Sequence, residues 1–177
     1  MSHNLASSEY NTRRKECEQA LEHIQKEYPE FSFLAEVPES ILLSLKDNLD
    51  DLLLQRARYV IQENKRTLKA AELIQNEKIK AFGALMYETH EGLTKEYEVS
   101  CQEIDFLVNF TKNIPQVVGS RMMGGGFGGC TINLVKNDFV QEFIDQISLA
   151  YRDKFNLESA SILVDISNGV ETIRNNE

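Results

Sequence analysis

Gly119-Ser120-Arg121-Met122-Met123-Gly124-Gly125-Gly126-Phe127-Gly128-Gly129-Cys130-Thr131 is the stretch that decides the fold. Five of the chain's nine glycines fall between positions 124 and 129. Val117-Val118 precede the loop, and Ile132, Leu134 and Val135 follow it. Glycine loses much backbone entropy on folding and buries no side chain, so five together need a reason. A backbone that turns sharply and lets a ligand approach its N–H groups supplies one, because successive N–H groups there form a concavity suited to phosphate oxygens. Gly124, Gly126 and Gly129 match G-x-G-x-x-G, but that dinucleotide fingerprint requires a helix directly after the loop. Here Cys130-Thr131-Ile132-Asn133-Leu134-Val135 alternates like a strand. No Gly-Lys-Ser/Thr occurs, which excludes a Walker loop. What remains is strand, glycine loop, strand. A plain hairpin needs only one or two special residues, so the loop is read as a ligand loop.

Outward from the loop, the pattern is mostly helical. Cys17, Leu21, Ile24 and Tyr28 recur at steps of three and four, which predicts a helix over about 8–27 capped by Ser7 or Ser8. The 30–47 stretch, with Phe31, Phe33, Pro38 and Ile41-Leu42-Leu43, reads as a packed connector ending in a short helix. Leu53, Ala57, Val60, Ile61, Leu68, Ala71 and Ile74 form one stripe of a long amphipathic helix over 49–75. A further helix over 77–95 carries Ile79, Phe82, Met86 and Leu93. Ser100-Cys101-Gln102-Glu103 reads as a capping box opening the next helix. Strands are expected at 116–122 and 130–135. Asn137 or Asp138 then caps a helix bearing Val140, Phe143, Ile144, Ile147 and Tyr151. Ile162, Val164 and Ile166 alternate as a strand, Asn168-Gly169 is a hairpin turn signal, and 170–174 would be the returning strand. The order predicts an α+β domain, a small antiparallel sheet packed with several helices, occupying 1–177 as one unit.

Composition sets the bounds. A chain of 177 residues with 42% apolar content suits one globular domain. A formal net charge of −9 argues against nucleic acid or an anionic membrane as partner. No apolar run approaches the ~20 residues of a spanning helix, and the start shows no signal peptide. Cys17, Cys101 and Cys130 fit neither zinc spacing nor a disulfide framework. They read as reduced thiols of a cytoplasmic protein, with Cys130 a small core-facing residue.

The glycine stretch resembles the third, C-terminal signature of the GHMP small-molecule kinases, and its Gly-Gly-Gly-Phe-Gly-Gly-Cys form is similar to that of galactokinases. Other segments carry the same resemblance in order. They are 3–17 (His3 to Cys17, through Ser8-Glu9-Tyr10-Asn11), Arg56-Ala57-Arg58-Tyr59-Val60-Ile61 with Glu63-Asn64-Lys65-Arg66-Thr67, 86–105, and Asn168-Gly169-Val170. The family's first, sugar-binding signature and its serine-rich phosphate loop do not occur here. The resemblance therefore implies the C-terminal half of a galactokinase. Its partner would be the missing N-terminal kinase domain, and its substrates galactose and ATP with Mg²⁺. It implies that Tyr10 reaches the sugar with its hydroxyl and that Gly124, Gly125, Gly126, Gly128 and Gly129 form the loop beside substrate and phosphates. No catalytic base and no metal ligand is assigned to this chain. The half alone is expected to be inactive and to self-associate through the bared interface. Another GHMP kinase, or a non-catalytic galactokinase-like sugar sensor, are the alternatives. One departure stands out: the family usually has Thr before the glycines and this chain has Met123, a thioether in place of a hydroxyl donor.

Other candidates have plainer readings. Arg13 and Arg14 read as helix-surface arginines. Arg121 either pairs with a carboxylate or approaches the cleft. His90 lies on the apolar stripe and reads as a packed, hydrogen-bonded histidine. Asp47, Asp50 and Asp51 read as a helix N-cap with a negative first turn. Substituting Gly126 by valine is expected to harm ligand approach more than stability.

Overall fold

The computed structural model describes residues 3–165 and Gly169, with side chains from Glu9 onward. Helices α1 (His3–Gln25), α2 (Glu39–Ser44), α3 (Asp51–Gln75), α4 (Ile79–Lys95) and α5 (Gln102–Thr111) precede a hairpin of β1 (Val117–Met123) and β2 (Cys130–Val135), and α6 (Val140–Phe155) follows. Short 3-10 turns stand at Leu34–Glu36 and Asn137–Phe139. The α+β class with a small antiparallel sheet among helices is as expected.

Among the described residues three apolar clusters hold the elements together. Ala20 and Ile24 of α1, Leu34, Val37, Leu42, Leu45 and Leu49 of the connector, and Ala57 and Ile61 of α3 form the largest. Val99, Ile104 and Met122 form the second, beneath the glycine loop, with Phe127 packed against it. Val117, Phe143 and Ile147 tie α6 to the hairpin. The hairpin seats directly on α4. A Cβ on Gly83 would lie 2.0 Å from Val118 O, and one on Gly119 would lie 2.6 Å from Gly83 Cα. Helix and strand backbones thus touch through paired glycines. Residue 118 is also where the register slips, with Val117 opposite Val135 and Gly119 opposite Leu134.

Several local expectations are corrected. Helix α1 begins at His3, so Ser7 and Ser8 lie inside it and not at its cap. Asp50 does cap α3, accepting from Leu52 N at 2.9 Å and Leu53 N at 3.4 Å, with Asp51 in the first turn. Leu68 and Ile74, placed on the buried stripe of α3, are exposed, whereas Arg56 and Tyr59 are buried. The capping box at Ser100 is not formed. Cys101 holds the cap position, and Ser100 Oγ donates instead to Asp105 Oδ1 at 2.5 Å. A charged acceptor one turn into the helix outcompetes the local cap. At Asn137 and Asp138 a 3-10 turn replaces a side-chain cap. Residues 157–165 form no strand, and Ile162 and Val164 are exposed. The expected turn at Asn168-Gly169 and the strand at 170–174 lie outside the described residues, Gly169 apart.

Candidate functional site

The loop between β1 and β2 has a left-handed backbone almost throughout. Gly124, Gly126, Gly128 and Gly129 have φ between +92° and +126°, and Phe127 has φ +60°. This explains the glycines: an L side chain at each such position would be strained. Only Gly125 has an ordinary φ. Gly126 is also crowded, since a Cβ there would lie 2.5 Å from Val99 O. A side chain at Gly126 is therefore crowded and strained, so substitution there carries a stability cost that the sequence alone did not reveal. Phe127 N–H donates to Val99 O at 2.6 Å, and its ring packs with Val99, Ile104 and Met122.

A groove of about 470 Å³ opens beside this loop, between α1, the Leu34–Glu36 turn and the end of α4. Tyr10, Arg13, Cys17, Tyr97, Gly124 and Gly125 are among its lining residues. Tyr10 is 54% exposed, and its ring faces the loop: a Cβ on Gly125 would lie 3.5 Å from Tyr10 Cδ2. The fold thus brings together the two elements singled out in sequence, more than a hundred positions apart. Glu18 is the one carboxylate among the described lining residues, and it accepts from Arg14 Nε at 2.9 Å. The groove therefore offers two tyrosines, two arginines and a wall of glycine backbone, and its one described carboxylate is paired with Arg14.

Arg14 is the exposed helix arginine expected. Arg13 is not. Its side chain is largely buried, and it donates to Tyr97 O at 2.7 Å and Glu98 O at 3.2 Å. Sequence reasoning placed Arg56 in the resemblance segment but gave it no role, although it follows Leu53 by three and precedes Val60 by four, on the buried face of α3. Its guanidinium is 1% exposed and bonds Glu16 Oε2 at 2.7 Å, Glu98 Oε2 at 2.5 Å and Glu96 O. Burial opposes its charge, but Glu16 and Glu98 outweigh that and raise its pKa. Arg56 in turn holds the Glu98 carboxyl below its ordinary value. Tyr97 stacks on Tyr59 with ring centroids 4.8 Å apart.

His90 is packed and hydrogen-bonded as expected, accepting Met122 N–H at Nδ1 (3.4 Å) and lying 3.3 Å by Nε2 from Asp105 Oδ1. Arg121 donates to Met122 O at 3.0 Å. Burial pushes the Cys17 thiol up, which makes it a poor nucleophile. Cys130 is exposed, not core-facing: it sits where β2 leaves the loop. Met123 is 45% exposed at the other side of the same pair. Among the described residues no group of three His, Cys, Asp or Glu is placed to hold a metal ion. No helix among them is long and apolar enough to cross a membrane.

Residues 70–153 match the family described as GHMP kinases C terminal. Through that segment the chain is similar to the C-terminal domain of the GHMP kinases. Within this class it is similar to galactokinases. The galactokinase of Clostridium acetobutylicum is 44% identical over 170 residues, covering 96% of this chain and 43% of that protein. That of Thermotoga neapolitana is 38% identical over 171 residues, covering 97% of this chain and 46% of that protein. The crystal structure of Lactococcus lactis galactokinase complexed with galactose superposes with a TM-score of 0.80 at 32% identity, covering 85% of this chain and 39% of that one. The chain thus spans less than half the length of these relatives.

Proposed function

We propose that this chain is the sugar-facing C-terminal half of a galactokinase, which transfers the γ-phosphoryl group of ATP to the C1 hydroxyl of galactose. The observation that carries this is the seating of Tyr10 against Gly125 at the mouth of the groove, in a fold similar to a galactokinase crystallised with galactose. In this reading the Tyr10 hydroxyl hydrogen-bonds the sugar. The loop at 124–129 shapes the wall beside sugar and phosphates and supplies backbone donors. Phosphoryl transfer depends mainly on positioning and charge stabilisation. In this reading, as the similarity to galactokinases implies, the base, the Mg²⁺ ligands and most of the phosphate donors belong to an N-terminal partner domain; the groove's one described carboxylate, Glu18, pairs with Arg14. The free thiols Cys17, Cys101 and Cys130 support a cytoplasmic enzyme.

The test is a chimera in which this chain replaces the matching part of the Lactococcus lactis galactokinase. Galactose-dependent ADP release is expected from the chimera and not from the 177-residue chain alone. A well-folded chimera that hydrolyses or transfers nothing with galactose, but acts on another small alcohol, would reassign the substrate. Turnover by the chain alone, surviving repurification, would show that the proposed division of labour is wrong.

A further inference from the structure

The carbonyls that follow α4 are gripped one after another. Arg56 Nη1 donates to Glu96 O, Arg13 Nε to Tyr97 O at 2.7 Å, and Arg13 Nη2 to Glu98 O at 3.2 Å. The fourth, Val99 O, accepts Phe127 N–H at 2.6 Å. Four consecutive carbonyls therefore join two arginines on one side to the apex of the glycine loop on the other. Glu16 locks the two arginines together, accepting from Arg56 Nε at 2.7 Å and Arg13 Nη1 at 3.2 Å. Glu98 stands at φ +52°, a sparsely populated region for a residue with a Cβ. It is held there from both ends, its carbonyl by Arg13 and its carboxylate by Arg56. Arg13 also sits on α1 one turn beyond Tyr10, so a single guanidinium links the Tyr10 helix to the strut that seats the loop.

We infer that Arg13 and Arg56, bridged by Glu16, are positioning residues that fix the 96–99 strut and, through Val99 O, set the apex of the glycine loop against Tyr10. A helix end needs no such device. Water, or a glycine in the left-handed region, satisfies orphan carbonyls elsewhere. A buried and a largely buried guanidinium on consecutive carbonyls give something those cannot, a fixed planar fork that defines where the next carbonyl points. Lysine carries the same charge without that fork, which makes Arg→Lys the diagnostic change. The link to kinetics rests on the galactokinase function proposed above; the structural coupling does not.

The coupling is read by amide hydrogen exchange on the 177-residue chain. Arg13→Lys and Arg56→Lys are expected to speed exchange of the Phe127 amide about tenfold or more, while Val108, buried in α5, keeps its rate. Lys69→Gln, which removes an exposed pair with Glu72, should change neither. Such selective loss reports local opening. An unchanged Phe127 rate, or equal acceleration at Phe127 and Val108, overturns the inference. If Arg56→Lys does not fold, Glu98→Gln, at a half-exposed side chain, decides the same point. In an active chimera, Arg13→Lys should change the galactose KM or kcat about tenfold with the melting temperature held, and unchanged kinetics would deny the strut a part in the site. An inactive parent chimera would count against the proposed function alone, leaving Phe127 exchange to decide the strut.

Discussion

Tyr10 is half-exposed with its ring beside Gly125, so removing its hydroxyl oxygen alone tests the proposed contact with a sugar. Tyr10→Phe in the chimera is expected to weaken galactose and leave ATP nearly unchanged. A hydrogen bond between neutral partners is worth roughly 0.5–1.5 kcal/mol, about two- to tenfold in apparent KM, with kcat falling too if the bond tightens in the transition state. Steady-state kinetics with each substrate varied measure this, and unchanged galactose parameters would remove Tyr10 from the site. His90 gives a second single-residue test. Burial pushes its pKa below the ordinary value; Asp105 opposes the shift, and Lys112 adds to it. Because Nδ1 accepts from Met122 N–H, the folded state holds the neutral ring, with its proton on Nε2 toward Asp105. The unfolded chain binds a proton at about pH 6.5, above the folded value. Stability from the neutral ring is therefore complete above that pH and is lost as pH falls below it, by up to about 1.4 kcal/mol per unit. Denaturant melts on the two sides of that pH should show a smaller loss for His90→Asn than for the parent. Parallel losses would mean that His90 titrates alike in both states.

Two adjacent glycines separate space from conformation in the loop. Gly125 has an ordinary φ, and a methyl there makes only van der Waals contact with Tyr10. Gly126 has φ +92° and no room beneath Val99 O. Gly126→Ala should cost about 1–3 kcal/mol from overpacking, and roughly 1 kcal/mol more from its backbone. Gly125→Ala should stay within about 0.5 kcal/mol of the parent and yet alter galactose kinetics in the chimera. Paired thermal melts and kinetics check both, and equal stability of the two variants would contradict the packing described at Gly126. The contrast also shows what the sequence could carry at this scale. The long helices and the β1–loop–β2 hairpin were legible because their signals are local: apolar steps of three and four, alternation at Cys130–Val135, and clustered glycines. The strut was not, because Arg56 and Arg13 reach its carbonyls across 40 to 85 positions. Arg13 looked like a surface residue, since nothing near it in sequence reveals the carbonyls of Tyr97 and Glu98. Ser100 misled for a related reason, its local capping partner being displaced by Asp105, which also takes Thr94 Oγ1 at 3.0 Å and faces His90. At Cys130 alternation could not say which face of β2 is covered.

Over the whole molecule, apolar burial is uneven. Phe33 at the groove is 65% exposed, and Ile162, Leu163 and Val164 are 84%, 73% and 69% exposed. The alternation that predicts a strand at 162–166 thus has no partner among the described residues, while a two-stranded sheet has two edges, each a row of backbone groups able to accept another strand. Exposed large side chains in a strand-like stretch favour pairing with another surface. Opposing this is the formal net charge of −9, which makes copies repel one another over about 10 Å at 0.1 M salt and about 3 Å at 1 M. The isolated chain is therefore expected to self-associate with rising concentration, and more strongly at high salt, where repulsion is screened and apolar burial is not. Light scattering over a concentration series at two salt levels measures it. Ile162→Ser with Val164→Ser should return the particle toward the 20.2 kDa of the single chain if this stretch drives association, and Phe33→Ser should do so if the groove does. A mass that stays at the single-chain value throughout, without binding of a dye that reports apolar surface, would mean these side chains are covered in solution. Salt-weakened association would instead point to paired charges as the contact.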